Sequence, residues 1–539
     1  MSKAWFEHYP EATPREINPD TYASLTQLFR QSVERFSDLD AVECFGVSLT
    51  YGELDQLSDA VASLLQQRFG VVKGDRVAVM LPNIFAYPII MWGILKAGAV
   101  QVNVNPLYTA RELEHQLNDS EAAVIFCFNG STESLAAIRN KTGVDQVVTV
   151  APGDGSGLSL PAPPIAAGLG ESQPLSALLQ EYAGKSPALV ELDGGDTLFL
   201  QYTGGTTGPS KGATLSHRNL VANSEQFKAF VPDANEPGKE RVVLALPMYH
   251  IFGLMMYTAY AAIGAKAILI PNPRDMEGFL NTIKDAGFTV MAGVNTLYAG
   301  MAAHPLCNDV DFSRCKVSIG GGSKIFPSTS DRWQALSGTH ILEGFGLSET
   351  SPILTLNPLG QDAFTGTVGF PVPSTDVKIL GADGKECSPG EPGELCAKGP
   401  QVMSGYWKRP DANAECFTGD GYFRTGDIAV MHPGGLFEIV DRKKDMLIVS
   451  GFNVYPNEIE AIVCELDGVA EAACVGAPDD KTGERVKLFV AGNGSELDVD
   501  VIVRHCRENL AAYKVPREVV VLDELPKSSV GKILRKELR

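Results

Sequence analysis

Short apolar runs alternate with amphipathic segments along most of the chain. Thr50 with Glu53, and Thr109 with Glu112, each precede leucines at helical spacing, which is the pattern of a capping box at the start of a helix. Runs that we predict to be buried strands lie between such segments, at residues 76–81, 122–127, 242–246, 267–271 and 316–319. Strands that alternate with helices predict α/β architecture with largely parallel sheets.

Three parts of the chain depart from this alternation. Residues 152–171 are rich in Gly, Pro and Ser and predict an irregular connection, and the short alternating runs of residues 376–398 predict a small antiparallel β unit. A chain of 539 residues is too long for one hydrophobic core, so two or more domains are expected. After about residue 441 we predict a compact α+β domain with helices at residues 455–466 and 501–510 and strands at residues 472–477, 487–491 and 518–522.

Charge and composition exclude several classes of function. The formal net charge of −20 argues against a nucleic-acid-binding surface, which needs clustered Lys and Arg, and it means that a polyphosphate ligand must be met by local donors and a metal ion. The longest apolar run, residues 251–265, is shorter than the roughly 18 to 20 residues of a membrane span and predicts a buried helix. The 10 cysteines form no CxxC pair, and residues 1–10 lack the pattern of a signal peptide. We therefore expect a cytoplasmic protein with reduced cysteines.

The strongest chemical motif is residues 202–212, Tyr-Thr-Gly-Gly-Thr-Thr-Gly-Pro-Ser-Lys-Gly. Its glycines let backbone N–H groups approach an anion, its threonines add hydroxyl donors, and its lysine adds a positive charge. The spacing is not that of the G-x-x-x-x-G-K-[ST] loop, and composition alone leaves a glycine-rich surface turn as the alternative. The predicted phosphate-binding residues are Thr203, Gly204, Gly205, Thr206, Thr207, Gly208 and Lys211.

This string resembles the signature loop of the adenylate-forming superfamily, which contains acyl-CoA synthetases, adenylation domains and luciferases. Residues 343–350, Glu-Gly-Phe-Gly-Leu-Ser-Glu-Thr, are similar to its second core motif, with Phe and Ser where Tyr and Thr are usual. The resemblance assigns Phe345 to the adenine, Ser348 to the α-phosphate and acyl carboxylate, and Glu349 to Mg²⁺, for which one carboxylate plus phosphate oxygens is an ordinary ligand set. It also assigns to the nucleotide site Glu343, Gly344 and Gly346.

Further matches follow in order along the chain. Residues 422–427 resemble the segment whose aspartate, here Asp427, binds both ribose hydroxyls, since a carboxylate can accept two hydrogen bonds. Residues 441–446 resemble the family's hinge, with Arg442 near the ribose and phosphate and Lys444 at the pivot. Residues 450–460 resemble the loop and helix used in thioester formation, and the resemblance assigns to coenzyme A two residues, Ser450 and Gly451.

Two more segments complete the resemblance. Residues 526–535 match the last core motif, in which Lys532 stands at the lysine that neutralises charge on the reacting phosphate and carboxylate. His250 is aligned with the family's histidine between the acyl pocket and the coenzyme A tunnel, although a lone His beside apolar residues is usually a core residue. Gly321 and Gly322, in the glycine run 320–322, would let the acyl chain and adenine approach the backbone.

The resemblance also implies a domain plan and a reaction. We expect a large N-terminal domain, residues 1–440, made of two α/β subdomains with mainly parallel sheets and a small β-barrel subdomain. A hinge at residues 441–445 would join it to a small mobile α+β domain, residues 446–539. The implied reaction activates a carboxylic acid with ATP and Mg²⁺ as acyl-AMP and passes the acyl group to coenzyme A.

The substrate is inferred from a closer likeness. Residues 293–298, 441–446, 450–460 and 525–535 look most like those of bacterial long-chain fatty acid–CoA ligases, so a medium- to long-chain fatty acid is expected. A ligase for aryl acids, or one that loads an acyl carrier protein, is the main alternative, and a non-catalytic binding protein is a minor one. No nucleic acid partner is expected. Peripheral contact with the inner membrane is a hypothesis, and the oligomeric state, a homodimer included, stays open.

Overall fold

Two largely parallel sheets make up most of the fold. The computed structural model describes residues 3–203, 209–361, 363–479, 481–492, 494, 497–528 and 531–539. In the first sheet the neighbours from Thr197–Thr203 onward run parallel, and the two strands before it are antiparallel additions at one edge. The order is Gly405–Tyr406, Lys211–Ser216, Thr197–Thr203, Val100–Asn103, Arg76–Met80, Val124–Phe128, Gln146–Val150 and Gln173–Pro174.

The second sheet has the same character. Its strands from Ile341–Gly346 to Asp40–Cys44 pair in parallel, and the strands outside them are antiparallel. The order is Phe370–Pro371, Ile353–Leu356, Ile341–Gly346, Val317–Gly320, Val290–Gly293, Arg241–Leu244, Lys266–Leu269, Asp40–Cys44 and Val47–Thr50. The buried strands predicted from the sequence are confirmed. Because ligands of open parallel sheets bind beyond the carboxyl ends of the strands, the loops at those ends are where a site is expected.

Helices lie between and around these sheets, and their starts follow the sequence. Both predicted capping boxes are present: Thr50 N donates to the Glu53 carboxylate at 2.8 Å, and Thr109 N to that of Glu112 at 3.0 Å. The apolar run predicted as a core helix is the fully buried Ile251–Ala261. In the part of the chain that is described, no helix combines the length and apolar character that crossing a membrane requires.

Helices follow one another along the whole of the described chain. The α-helices are Leu25–Phe36, Tyr51–Gln67, Ala86–Lys96, Ala110–Ser120, Thr132–Ala136, Leu175–Glu181, His217–Phe230, Ile251–Ala261, Met276–Ile283, Asn295–Ala303, Pro327–Ser337, Pro410–Cys416, Pro456–Val463 and Val499–Asn509. The 3₁₀ turns are Ala4–Glu7, Asn129–Ser131, Arg139–Lys141, Pro232–Ala234, Pro305–Asp309, Ser348–Thr350 and Arg535–Glu537.

Two smaller sheets lie in the later part of the described chain. The predicted β unit is an antiparallel sheet with the order Asp376–Leu380, Gly393–Lys398, Phe423–Met431 and Phe437–Arg442. The carboxyl-terminal sheet has the order Phe452–Val454, Leu447–Val449, Gly483–Gly492 and Val469–Asp479, and Glu518–Leu522 pairs with Gly483–Gly492. Its apolar residues form clusters separate from those of the large sheets, so the predicted small α+β domain is confirmed.

Candidate active site

The glycine- and threonine-rich string joins two paired strands. Thr203 ends the strand Thr197–Thr203, Lys211 begins Lys211–Ser216, and the two residues are Cα partners. The Thr203 hydroxyl donates to the Lys211 carbonyl oxygen at 3.4 Å. Lys211 is exposed, and its ammonium lies 5.0 Å from the ring centroid of Tyr406. The rest of the predicted cradle lies outside the described residues and stays a prediction: Gly204, Gly205, Thr206, Thr207 and Gly208.

Close backbone packing shapes the turn that carries Glu349. The strand Ile341–Gly346 leads into the 3₁₀ turn Ser348–Thr350, and the chain then folds back along Ile353–Leu356. A Cβ on Gly346 would lie 1.9 Å from the Pro352 carbonyl oxygen, so only glycine fits there. The other predicted residues of this hairpin are half-buried: Gly344, Phe345 and Ser348.

The Glu349 carboxyl group is buried and bonded to a residue that no sequence motif indicated. The Tyr406 hydroxyl donates to Glu349 Oε1 at 2.7 Å, and Met403 N donates to the Glu349 carbonyl oxygen at 2.8 Å. Burial raises the pKa of Glu349, and the Tyr406 hydrogen bond and the charge of Arg442 oppose that rise. Tyr406 lies 57 residues from Glu349 on the edge strand Gly405–Tyr406. No sequence pattern links the two residues, so the contact becomes visible in the folded structure.

Asp427 faces a cluster of cationic side chains. Asp427 and Arg442 are Cα partners on antiparallel strands, and Arg442 Nε lies 3.7 Å from Asp427 Oδ1. Burial raises the pKa of Asp427, against the charges of Arg442, Lys532 and Lys444. Burial also lowers the pKa of Lys444, and it lowers that of Lys532 to about 7, with the charge of Arg442 adding to the effect. Arg442 is thus in contact with a buried carboxyl group, and the charges of Lys444 and Lys532 act on the same group. Basic side chains gathered near one point suit a phosphate.

A tight hairpin brings Lys532 from the small domain to this cluster. Ser528 N donates to the Lys532 carbonyl oxygen at 2.8 Å, and Lys532 N donates to Ser528 Oγ at 3.1 Å. The preceding Gly531 has φ +77°, and a Cβ there would lie 2.8 Å from Thr296 Oγ1. The hairpin therefore lies against the large domain at the start of the helix Asn295–Ala303.

His250 and the glycine run meet at the start of another helix. His250 precedes Ile251–Ala261, and its Nδ1 accepts a hydrogen bond from Phe252 N at 3.4 Å. Burial lowers the pKa of His250 to about 4, and the charge of Lys532 lowers it further. A Cβ on Gly321 would lie 3.0 Å from the Phe252 ring, and Gly322 has φ +76°. A neutral imidazole thus lies two residues before the Phe252 ring, and that ring packs so closely on Gly321 that a side chain there would have to displace it.

Three predicted residues lie elsewhere. Ser450 and Gly451 are exposed, and a Cβ on Gly451 would meet no heavy atom of the described residues within 4 Å. The buried Glu343 accepts a hydrogen bond from Ile325 N at 3.1 Å, and burial raises its pKa to about 8. Glu343 thus supports the backbone that follows the glycine run, and its contact with a nucleotide stays a prediction. In this orientation Lys532, and not Gly451, approaches the large domain.

Known proteins resemble this chain over its whole length. The profile of AMP-binding enzymes matches residues 29–407, and that of the AMP-binding enzyme C-terminal domain matches residues 458–532. The long-chain-fatty-acid–CoA ligase of Salmonella typhimurium is 46% identical over 551 aligned residues, covering 100% of this chain and 98% of the relative. The feruloyl-CoA synthase of Amycolatopsis is 34% identical, covering 93% and 95%. The crystal structure of ATP-bound MatB from Rhodopseudomonas palustris has a TM-score of 0.82 at 29% identity, covering 95% and 98%. The chain therefore belongs to the AMP-binding enzyme family.

Proposed function

We propose that this chain is a fatty acid–CoA ligase. It converts a medium- to long-chain fatty acid and ATP to acyl-AMP and pyrophosphate, and then transfers the acyl group to coenzyme A with release of AMP. The name of the Salmonella relative, 46% identical along the whole chain, supports the substrate class. The observation that carries the chemistry is the contact of Arg442 with the buried Asp427, at 3.7 Å, together with the charges of Lys444 and Lys532 that act on the same carboxyl group.

The first step needs mainly positioning and neutralisation of charge. An oxygen of the fatty acid carboxylate attacks the α-phosphorus of ATP, and the bond from that phosphorus to the leaving pyrophosphate oxygen breaks. The Lys532 ammonium and the Arg442 guanidinium stabilise the charge on the reacting groups. Asp427 accepts hydrogen bonds from the ribose hydroxyls, and Thr203 and Lys211, with the loop between them, bind the phosphates.

A magnesium ion fits the donor set at Glu349. A carboxylate oxygen is a ligand that Mg²⁺ prefers, and the Tyr406 hydroxyl holds this carboxyl group in one orientation. Within the described ranges, no group of three or more His, Cys, Asp or Glu residues could hold a metal ion. We therefore propose that Glu349 is the protein ligand and that ATP oxygens and water complete the coordination. When bound, the ion supplies charge neutralisation to the polyphosphate.

The second step uses another face of the small domain. The sulfur of coenzyme A attacks the acyl carbonyl carbon, and AMP leaves. Ser450 and Gly451 are exposed while Lys532 lies in the cluster. We propose that residues 446–539 turn relative to residues 1–440, about Lys444 in a hinge at residues 441–445, so that Gly451 replaces Lys532 beside acyl-AMP. The neutral His250 would then lie at the entrance used by coenzyme A.

The direct test is coenzyme A-dependent AMP release across saturated acids from acetate to palmitate, together with benzoate, coumarate and ferulate. A maximum at medium or long aliphatic chains is the expected result. Aryl acids are the second candidate substrates, because a feruloyl-CoA synthase is 34% identical over 93% of the chain. Activity confined to aryl acids would retain the mechanism and reject the fatty acid. Pyrophosphate release without thioester formation would favour transfer to a carrier protein.

The apolar substrate also leads us to propose a cytoplasmic enzyme that contacts the inner membrane face peripherally. Long acyl chains partition into lipid, so an enzyme that uses them gains by working at that surface. Flotation with lipid vesicles tests this part of the proposal. Protein that remains wholly at the bottom of the gradient would reject it and leave the catalytic proposal unaffected.

A further inference from the structure

A buried ionic cluster lies on the other face of the strand that carries Arg442. Successive residues of a strand point to opposite faces, so Arg442 turns toward Asp427 while Asp441 turns toward the small domain. The Asp441 side chain is 0% exposed, and its Oδ2 accepts a hydrogen bond from Asn457 N at 2.8 Å. Asn457 lies in the first turn of the helix Pro456–Val463. Asp441 therefore caps, across the domain boundary, a helix of the small domain.

Arg535 is the centre of this cluster. Its Nε and Nη2 donate to the two carboxylate oxygens of Glu460 at 3.0 and 2.6 Å, and Nη2 also donates to Asn457 Oδ1 at 2.5 Å. Its Nη1 lies 3.5 Å from Asp441 Oδ1 and 3.6 Å from Asp445 Oδ2. One guanidinium thus joins the small-domain helix to Asp441 and Asp445, the two ends of the proposed hinge.

The place of Arg535 in the chain links this cluster to Lys532. Arg535 lies three residues after Lys532. The Leu534 N–H donates to the Pro526 carbonyl oxygen at 2.8 Å and so closes the hairpin that contains Lys532. The Arg535 side chain is only 16% exposed, so water competes little for its ion pairs. A bidentate arginine–carboxylate pair, with two parallel hydrogen bonds, is strongly directional. The anchor at Arg535 therefore fixes the end of the hairpin that carries Lys532.

We propose that Arg535 is a positioning residue for Lys532, and that Arg535 and Asp441 form a latch across the hinge that favours the orientation in which acyl-AMP is made. This inference rests on the proposed two-step reaction. Asp441 belongs to a sheet of the large domain, whereas Arg535, Asn457 and Glu460 belong to the small domain. A turn about the hinge that withdraws Lys532 therefore separates Asp441 from its two partners, while the pair of Arg535 and Glu460 stays intact.

The test measures the two half-reactions separately in Arg535→Gln and Asp441→Asn. Acyl-AMP formation is followed as pyrophosphate release without coenzyme A, and thioester formation is followed from supplied acyl-AMP and coenzyme A. We expect both variants to slow the first step at least tenfold and to leave the second within twofold of the wild type. The matched control is Arg517→Gln, since Arg517 pairs with Asp479 at 3.2 Å in the same domain with a side chain that is 51% exposed. It should change neither step.

Asp441→Asn is the milder of the two variants, because the amide retains an oxygen that can accept the hydrogen bond from Asn457 N. Thermal unfolding of each variant monitors the fold. Equal loss of both half-reactions, or no loss of either, would overturn the latch. If the wild type releases no pyrophosphate with any acid, the proposed function fails, and small-angle X-ray scattering of the free protein then decides on the latch. A changed scattering curve for Arg535→Gln supports it, and an unchanged curve overturns it.

Discussion

Replacing Tyr406 with Phe removes one hydroxyl from the proposed metal site and leaves the aromatic ring in place. That hydroxyl donates to Glu349 Oε1 at 2.7 Å, and the carboxyl group is buried, so water cannot easily substitute for it. Hydrogen bonds to charged groups contribute roughly 1.5–3 kcal/mol, and losing a partner that orients a metal ligand typically costs about 10- to 100-fold in metal affinity. We expect Tyr406→Phe to raise the half-saturating Mg²⁺ concentration by about that factor.

The assay is pyrophosphate release titrated with Mg²⁺ at saturating fatty acid, with direct Mn²⁺ binding in the presence of ATP as a readout that needs no turnover. Tyr422→Phe is a close control, because the Tyr422 hydroxyl donates to Asp376 Oδ2 at 3.1 Å and a lysine ammonium lies 4.1 Å from its ring centroid. Since the lost bond also stabilises ionised Glu349, the acidic limb of the pH profile should move to higher pH. Equal metal dependence in Tyr406→Phe and Tyr422→Phe would refute the reasoning.

Three further changes test other parts of the site. Burial lowers the pKa of Lys532 to about 7, so the free enzyme loses the ammonium charge as the pH rises. The value of kcat/KM for ATP in acyl-AMP formation should therefore fall above that pH, and Lys532→Met should not show this fall. Between that pKa and the ordinary 10.5 the unfolded chain holds more protons, so the lysine's contribution to the free energy of unfolding should rise with pH. Gly346→Ala, which puts a Cβ 1.9 Å from a carbonyl oxygen, should lower stability in urea by roughly 1–3 kcal/mol, whereas Gly143→Ala, with open space around it, should not. Asp427→Asn removes one charged hydrogen bond, so it should raise the KM for ATP about tenfold and leave the KM for the fatty acid unchanged. An equal rise in both KM values would contradict a contact between Asp427 and the ribose.

The elements of this fold follow from local patterns because their causes are local. Thr50 and Glu53 are the first and last of four consecutive residues, and the capping box that they predict needs nothing beyond those residues. The run at residues 251–265 predicts burial for the same reason, and the helix Ile251–Ala261 is buried throughout. Strand order is different. Lys211–Ser216 pairs with Gly405–Tyr406, far away in sequence, and no periodicity records that partnership.

The residues of the candidate site also differ in whether a local sequence pattern could predict them. Asp427, Arg442 and Lys532 could be proposed because each stands in a recognisable string, and the structure brings them together. Tyr406 could not, since a tyrosine on a short strand carries no sign of the carboxyl group that it meets. Arg535 stands inside a recognised motif, yet its contacts with Asp441 depend on the orientation of the two domains, which the sequence does not encode locally.

The charges at the candidate site couple the chemical steps to the orientation of the two domains. The net charge of −20 repels a polyphosphate at long range, so attraction must come from cations at the site, where Arg442, Lys444 and Lys532 act on Asp427. Burial makes those cations unfavourable when no ligand is present, which is why the pKa of Lys532 is lowered. A bound nucleotide reverses that balance: its phosphates stabilise the charged form of Lys532, and by linkage the same interaction stabilises the small domain in the orientation that places Lys532 there. Loss of pyrophosphate then removes negative charge from the site, which weakens this hold on Lys532 and favours the proposed turn of the small domain.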